Sequence, residues 1–489
     1  DKDGKNGKVN TESIEGVTTL NVSSANIKDL SGIEGFTALT NLDCTSNTIE
    51  SLDVSKNTEL TNLYVYNNKL SILNLSKSTK LTEVLAFNNN LTTLDLSANK
   101  SLTDLNVQGN KLTALEVSNN LNLKTLSASS NQLKSLNVAK NTALEVLKIN
   151  FNTIKTLDVT QNASLTILSC TSNELTALDL NKNLALEKLD VSYNNLNSLD
   201  IKANTKLTFL GCVSNNLTTF DTSSNTSLEY LVAGANGSAS ILKTLDLTKN
   251  TKLLELDVWQ TKMEELNLSQ NTALKMLKIQ ASSLSSLDLS KNTALEAALI
   301  GGNKLTALEV SNNKLLKTLS CSSNQIPSLD LSKNTALTFL DAGNNNLTNL
   351  NLQNGNNSNF VKNVGVYFTN MEGRSGSTYY PNFKGNSNLS CIQVDNIEYS
   401  NINWSELKDP EVNFNALNCG LATTIADLAF EDKLISLGID TDGKNGAVLN
   451  SSINTITSLD VSNSSIKNFT GLEGFTALQT LNISNNLIT

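Results

Sequence analysis

Residues 39–59 read LTNLDCTSNTIESLDVSKNTE, and residues 60–80 read LTNLYVYNNKLSILNLSKSTK. The two align without a gap. Leu39, Leu42, Cys44, Asn47, Ile49, Leu52, Val54 and Asn57 fall on Leu60, Leu63, Val65, Asn68, Leu70, Leu73, Leu75 and Ser78. The offset is 60 − 39 = 21 residues, and residues 102–122, LTDLNVQGNKLTALEVSNNLN, repeat it. Leading leucines recur up to Leu337, giving 15 units. The span 337 − 39 = 298 equals 14 × 21 + 4, so one four-residue insertion interrupts the array near residues 237–240. A unit this short cannot bury its own leucines, so neighbouring units must stack around one continuous core.

The alternation around Leu42 predicts a short strand in every unit. The segment around Leu52-Asp53-Val54 predicts a second extended piece on the opposite side. No helical pattern fits between them. The fold class is a horseshoe-like solenoid of short parallel strands with little helix. The repeated asparagine marks turns where a buried amide bonds exposed backbone groups. Asparagine fills 74 of 489 positions, and this turn chemistry accounts for the excess. Only three prolines occur, as a stack that needs its N–H donors requires. Cys44, Cys170, Cys212 and Cys321 share the small-apolar slot of the strand and read as buried hydrophobes.

Composition excludes further classes. No histidine is present, which removes His-dependent triads, bases and metal sites. A net charge of −9 opposes phosphate-backbone binding, so no nucleic-acid partner is expected. No apolar run reaches the roughly 18 residues of a membrane span. No nucleophile motif or phosphate loop appears, and the chain does not read as an enzyme.

The eight-position unit resembles the leucine-rich repeat family, specifically the 21-residue, cysteine-punctuated class of internalin J-like bacterial surface proteins. The resemblance covers residues 39–352. It implies an extracellular or cell-surface binding module, an adhesin or receptor, with a protein or glycan partner on its concave face. Residues 1–38 then serve as the N-terminal cap. Residues 353–422 form a C-terminal cap with an aromatic insertion. The run Asn388-Leu389-Ser390-Cys391 to Cys419 is similar to the C-terminal cap of secreted leucine-rich repeat proteins of gliding bacteria. That likeness implies a Cys391–Cys419 disulfide, favoured in an oxidising compartment; two free thiols are the alternative.

Residues 440–489 align without gaps to residues 1–50, at an offset of 439. Residues 423–489 therefore read as the start of a second module. Asp427 and Gly438 bracket a short helix predicted over residues 428–437. A chain of tandem modules of about 440 residues is expected. Its second reading is structural: a spacer or filament subunit whose partners are copies of itself.

Three surfaces are candidate sites. On the concave face, Tyr64, Tyr66, Leu85 and Phe87 fall side by side in neighbouring units, Trp259 stands alone later, and Phe151 and Tyr193 sit one position further on. Clustered exposed aromatics suit ligand anchoring; packing between rungs is the competing use. In the cap, Tyr367, Phe368, Tyr379 and Tyr380 accompany Arg374, the only arginine, and divide between cap core and contact surface. The loop Asp1, Asp3, Asn6 and its copy Asp440, Asp442, Asn445 offer oxygens for calcium, but no glutamate closes the loop and a plain turn suffices. No other cofactor is expected. The column Asp53, Asn74, Asp95, Glu116 and onward reads as a solvated turn ladder.

Overall fold

A computed structural model describes residues 9–234, 241–371, 373–416, 419, 422–441 and 443–488. The four-residue insertion near 237–240, Asp1, Asp3, Asn6 and Asp442 lie outside the described residues. The chain forms two compact units. One comprises residues 1–253, 260–262 and 369–374; the other comprises 254–259, 263–368 and 375–489.

In the first unit, three-residue strands form a parallel sheet. They begin Thr19–Asn21, Asn41–Asp43, Asn62–Tyr64, Glu83–Leu85 and continue through Val146–Lys148 and Lys188–Asp190. The register advances by one unit per strand: Leu42 faces Leu63, which faces Val84, which faces Leu105. These middle residues are almost wholly buried, while their neighbours point out of the sheet. The second unit repeats the arrangement from Glu255–Trp259 to Phe339–Asp341. The parallel solenoid expected from the period is therefore present.

On the opposite side the expected second segment pairs as a strand at some rungs. Ser51–Asp53 pairs with Ile72–Asn74, and Ser328–Asp330 pairs with Asn349–Asn351. In the rungs between, the corresponding segment forms no strand ladder among the described residues. Asp53, Asp95 and Asp158 each accept the backbone N–H two residues on, at 2.8–2.9 Å, which turns the chain after the paired strand Ser51–Asp53 and after the unpaired segments alike. Backbone and hydroxyl bonds from Ser55 to Asp53 and from Ser97 to Asp95, and hydroxyl and backbone bonds from Thr160 to Asp158, hold the three carboxyls below their ordinary pKa.

Two asparagine columns tie the rungs together. In the inner column, Asn89 donates to Val65 O at 3.0 Å and Ala86 O at 3.1 Å, and accepts from Leu70 N at 2.9 Å. The same amide thus satisfies backbone groups of two rungs. In the outer column, Asn120 donates to Leu96 O and Asn99 O, at 3.2 and 2.8 Å. The outer-column asparagines are buried and the inner-column ones are buried or half-buried, so the asparagine excess is a hydrogen-bonding system. The residue preceding each inner asparagine adopts a left-handed backbone: Ser46, Asn67, Asn88, Gly109, Ser130, Phe151, Ser172, Tyr193 and Ser214 form one column.

Cys44, Cys170, Cys212 and Cys321 are buried free thiols. Burial pushes the Cys44 thiol up to about 12, so it packs as a small hydrophobe. Cys391 and Cys419 form a disulfide, with Cα atoms 5.8 Å apart.

The stretch after the array holds more order than the sequence disclosed. Residues Val364–Asn370 and Gly373–Tyr379 are the two strands of a hairpin. Rung architecture then resumes. Asn386 donates to Ala342 O and Phe383 O and accepts from Asn345 N and Leu347 N, the inner-column role. Cys391–Gln393 and Asn413–Asn415 extend the sheet begun by Ser328–Asp330. A helix at Ile397–Trp404, unforeseen in the sequence, brings Trp404 against Phe360, Phe383 and Phe414. The foreseen helix spans Leu428–Ser436. Asp427 caps it through Ala429 N and Phe430 N, and Gly438 follows with φ +66°.

Residues 458–488 reproduce the geometry of residues 19–49. Leu459 faces Leu481 as Leu20 faces Leu42, and Gly471 and Gly32 take φ values of +105° and +103°.

Candidate binding faces

Two stretches of the sheet face carry the chemistry, and each is built from residues of successive rungs.

The first lies on the strands Thr19–Asn21, Asn41–Asp43 and Asn62–Tyr64. A depression of about 300 Å³ is lined there by Asn21, Asn41, Asp43, Asn62 and Tyr64. Strand alternation turns these side chains outward, above the buried leucines. Asn21 donates to Asp43 at 3.0 Å. The Tyr64 hydroxyl donates to Glu83 at 2.7 Å, and Asn62 donates to the same carboxylate oxygen at 2.9 Å. The Glu83 carboxylate accepting from Tyr64 raises the phenol's pKa and keeps it protonated. The lining of the depression therefore combines a hydrogen-bonded aromatic ring with three amides and the Asp43 carboxylate.

Next to Tyr64 on the same strand face, Tyr66 and Phe87 stack with centroids 4.3 Å apart and planes 7° from parallel. All four predicted residues, Tyr64, Tyr66, Leu85 and Phe87, are half-buried. The structure brings them together as neighbours. It also shows that packing between rungs is a real part of their role.

The second stretch lies on Glu255–Trp259 and the strands after it. Trp259 does not stand alone, contrary to the reading from spacing. Lys278 sits one rung on, with its ammonium 5.1 Å from the Trp259 ring centre and 5.8 Å from that of Phe368. The same ammonium pairs with Asp257 at 3.1 Å. Phe368 arrives from the hairpin. With Val366 it packs on Ala297 and Leu299, with Met276, Val364 and Tyr379 alongside. Tyr379 donates from its hydroxyl to Gln280 at 3.2 Å. The hairpin thus lies across part of the sheet face. Gly376 permits the close approach of its strands: a side chain there would collide with Val366 O.

The cap aromatics divide accordingly. Phe368 and Tyr379 turn onto the sheet, and Phe383 enters the cap core beside Trp404. Tyr367, Tyr380 and Arg374 are exposed. Asp257 is the group sequence reasoning missed. Burial pushes its carboxyl up to about 6, against the opposing pull of Lys278. Its only sequence signal was an acid two residues before the tryptophan in a strand.

Asn445 and Gly446 are organised around a carboxyl of the chain itself. Glu431, fully buried, accepts from Asn445 N and Gly446 N. Asn445 in turn accepts from Ala447 N at 3.0 Å, and Asp440 is buried. Backbone donors converging on a carboxylate form a nest for negative charge. Among the described residues, no group of three or more Asp, Glu or Cys is placed to hold a metal ion.

This architecture defines a leucine-rich repeat solenoid. The functional domain of internalin J from Listeria monocytogenes is 36% identical, over 73% of this chain and 78% of that one, with a TM-score of 0.64. The chain belongs to the internalin-type leucine-rich repeat family. A leucine-rich repeat protein of Leptospira interrogans matches at 22% identity over 80% of this chain and 99% of that one, with a TM-score of 0.52. YopM from Yersinia enterocolitica matches at 28% identity over 64% and 71% of the two chains, with a TM-score of 0.52. No family model matches the chain, and no curated protein does. Among the described residues, no helix is long and apolar enough to cross a membrane.

Proposed function

We propose that this chain is a non-enzymatic adhesion module of a bacterial cell surface. It binds a protein or glycan partner through the sheet face of its first rungs. The observation that carries this reading is the depression beside Tyr64, where an aromatic ring meets Asn21, Asn41, Asp43 and Asn62. Fixed rings supply apolar contact at low entropic cost, and amides supply directional hydrogen bonds. The leucine-rich repeat neighbours support a binding scaffold as the general role. The test is a glycan array together with adhesion of the pure protein to cultured cells. Wild-type protein should bind at least one surface, and the Y64S/Y66S/F87S variant should bind it at least tenfold more weakly. Equal binding by both proteins ends the proposal.

A second reading has its own observation. The backbone geometry of residues 19–49 recurs at 458–488, residue for residue at an offset of 439. Tandem modules of this kind suit a surface spacer or filament subunit. Electron microscopy of the native surface should then show a periodic rod.

A further inference from the structure

The left-handed column of the first unit contains an anomaly. Of its nine members, Asn67, Asn88 and Gly109 are residue types that suit that conformation, and Ser46, Ser130, Ser172 and Ser214 carry short side chains. The other two are Phe151, at φ +54°, and Tyr193, at φ +56°. A bulky side chain in this region is strained. The strain cannot relax, because ladder bonds fix the backbone: Phe151 N donates to Thr171 O at 2.9 Å, and Tyr193 N to Val213 O at 2.7 Å.

Both side chains keep a large share of their surface open to solvent. Phe151 is 61% exposed and Tyr193 is 41% exposed. Phe151 gains little burial and Tyr193 is partly covered, where serine elsewhere serves the same turn. Strained, exposed residues of this kind are found where function requires them.

Their spacing is informative. They stand two rungs apart, with Ser172 between and Ser130 and Ser214 on either side. Rungs at the usual strand separation of about 4.8 Å put the two aromatic positions about 10 Å apart. Thr153, Glu174 and Asn195 run alongside as the next accessible column and offer hydrogen-bonding groups. Rings at every second rung, a small residue between them and a polar flank match an extended β-1,4-linked polysaccharide. Alternate sugar rings of such a chain present the same face at the disaccharide repeat, which is close to this spacing. We infer that Phe151 and Tyr193 form a rim platform on which such a glycan chain stacks. The platform is separate from the depression at Tyr64.

The test uses the pure chain with cellohexaose and chitohexaose in calorimetric titrations, and with insoluble cellulose and chitin in sedimentation assays. Wild-type protein should bind at least one of these glycans. The F151S/Y193S variant should lose at least tenfold in affinity while its melting temperature stays level or rises, since serine is the residue this column otherwise uses. The Y64S/Y66S/F87S variant should retain the binding, which separates failure here from failure of the adhesion proposal. Absence of wild-type binding to all four glycans overturns the inference. So does equal binding by F151S/Y193S, or a loss that Y64S/Y66S/F87S shares. Recognition by these two rings of a protein but of none of the glycans also overturns it.

Discussion

The sheet face around Tyr64 and that around Trp259 are made from the same rung positions, yet they are completed differently. At Tyr64 and Tyr66 the aromatic rings meet partners supplied by the array itself, Glu83 and Phe87. At Trp259 the partners come partly from outside the array: Phe368 and Tyr379 reach in from a hairpin inserted between rungs. The first surface is left accessible and carries a depression. The second is occupied by the chain's own aromatics. An aromatic residue at one and the same slot is therefore left accessible in one place and becomes part of an internal clamp in another. What decides between them is the presence of an insertion.

The largest expected effect comes from breaking the clamp. Phe368 is 3% exposed and joins the hairpin to Ala297 and Leu299. Truncating a buried phenylalanine costs about 3–5 kcal/mol, and a peripheral site that can collapse lies at the lower end. Phe368→Ala should accordingly release the hairpin. Hydrogen exchange of amides 364–379 should accelerate at least a hundredfold while the rung amides of residues 41–148 keep their protection. Loss of protection throughout the array would show that the hairpin is integral to the solenoid and not a cover laid on it.

A smaller effect distinguishes the electrostatics of the two surfaces. Asp257 is pushed up to about 6 by burial. A carboxyl whose folded pKa is raised binds its proton more tightly when folded, so its contribution favours the fold at low pH. That contribution declines as pH rises from about 4 to about 6. The turn carboxyls Asp53, Asp95 and Asp158 are lowered and act in the opposite sense: their stabilisation is present above pH 4 and is lost as pH falls below it. Asp257→Asn should flatten the pH dependence of hairpin protection between pH 4 and 6 and leave the acid limb of array unfolding unchanged. A slope that persists in the variant would assign it to another group.

The difference between the two surfaces also marks where sequence reasoning stopped. The rungs, the strands and the buried asparagines followed from a period of 21, because stacking forces equal residues into equal environments. The side-by-side placement of Tyr64, Tyr66, Leu85 and Phe87 came from the same register. The fate of Trp259 did not. Nothing in the unit repeat says that Phe368, some hundred residues later, returns to share Lys278. A weak hairpin signal was present in the alternation Val364, Val366, Phe368 followed by Gly373. Helix Ile397–Trp404 was hidden for a different reason: only Ser400 and Trp404 are buried, so no apolar stripe exists to be read. The strain at Phe151 and Tyr193 was invisible because the left-handed turn is a backbone property, and the serines and asparagines around it look like ordinary loop residues.

The smallest effect tests whether the accessible surface is held together by its own stack. Tyr66 and Phe87 are nearly parallel at 4.3 Å, one rung apart. Such a pair contributes about 0.5–1.5 kcal/mol beyond its area burial. A double-mutant cycle with Tyr66→Ala, Phe87→Ala and the double variant should return a coupling in that range by denaturant unfolding. The sign for binding is the sharper outcome. If the stack forms the platform for a partner, each single variant removes its preorganisation, and the double variant should weaken binding little more than either single one. Additive losses in affinity would instead mean that the two rings contact the partner independently. A full coupling in stability with unchanged affinity would place this pair with the clamp at Phe368, as internal packing. The depression at Tyr64 would then be left as the contact surface of the first rungs.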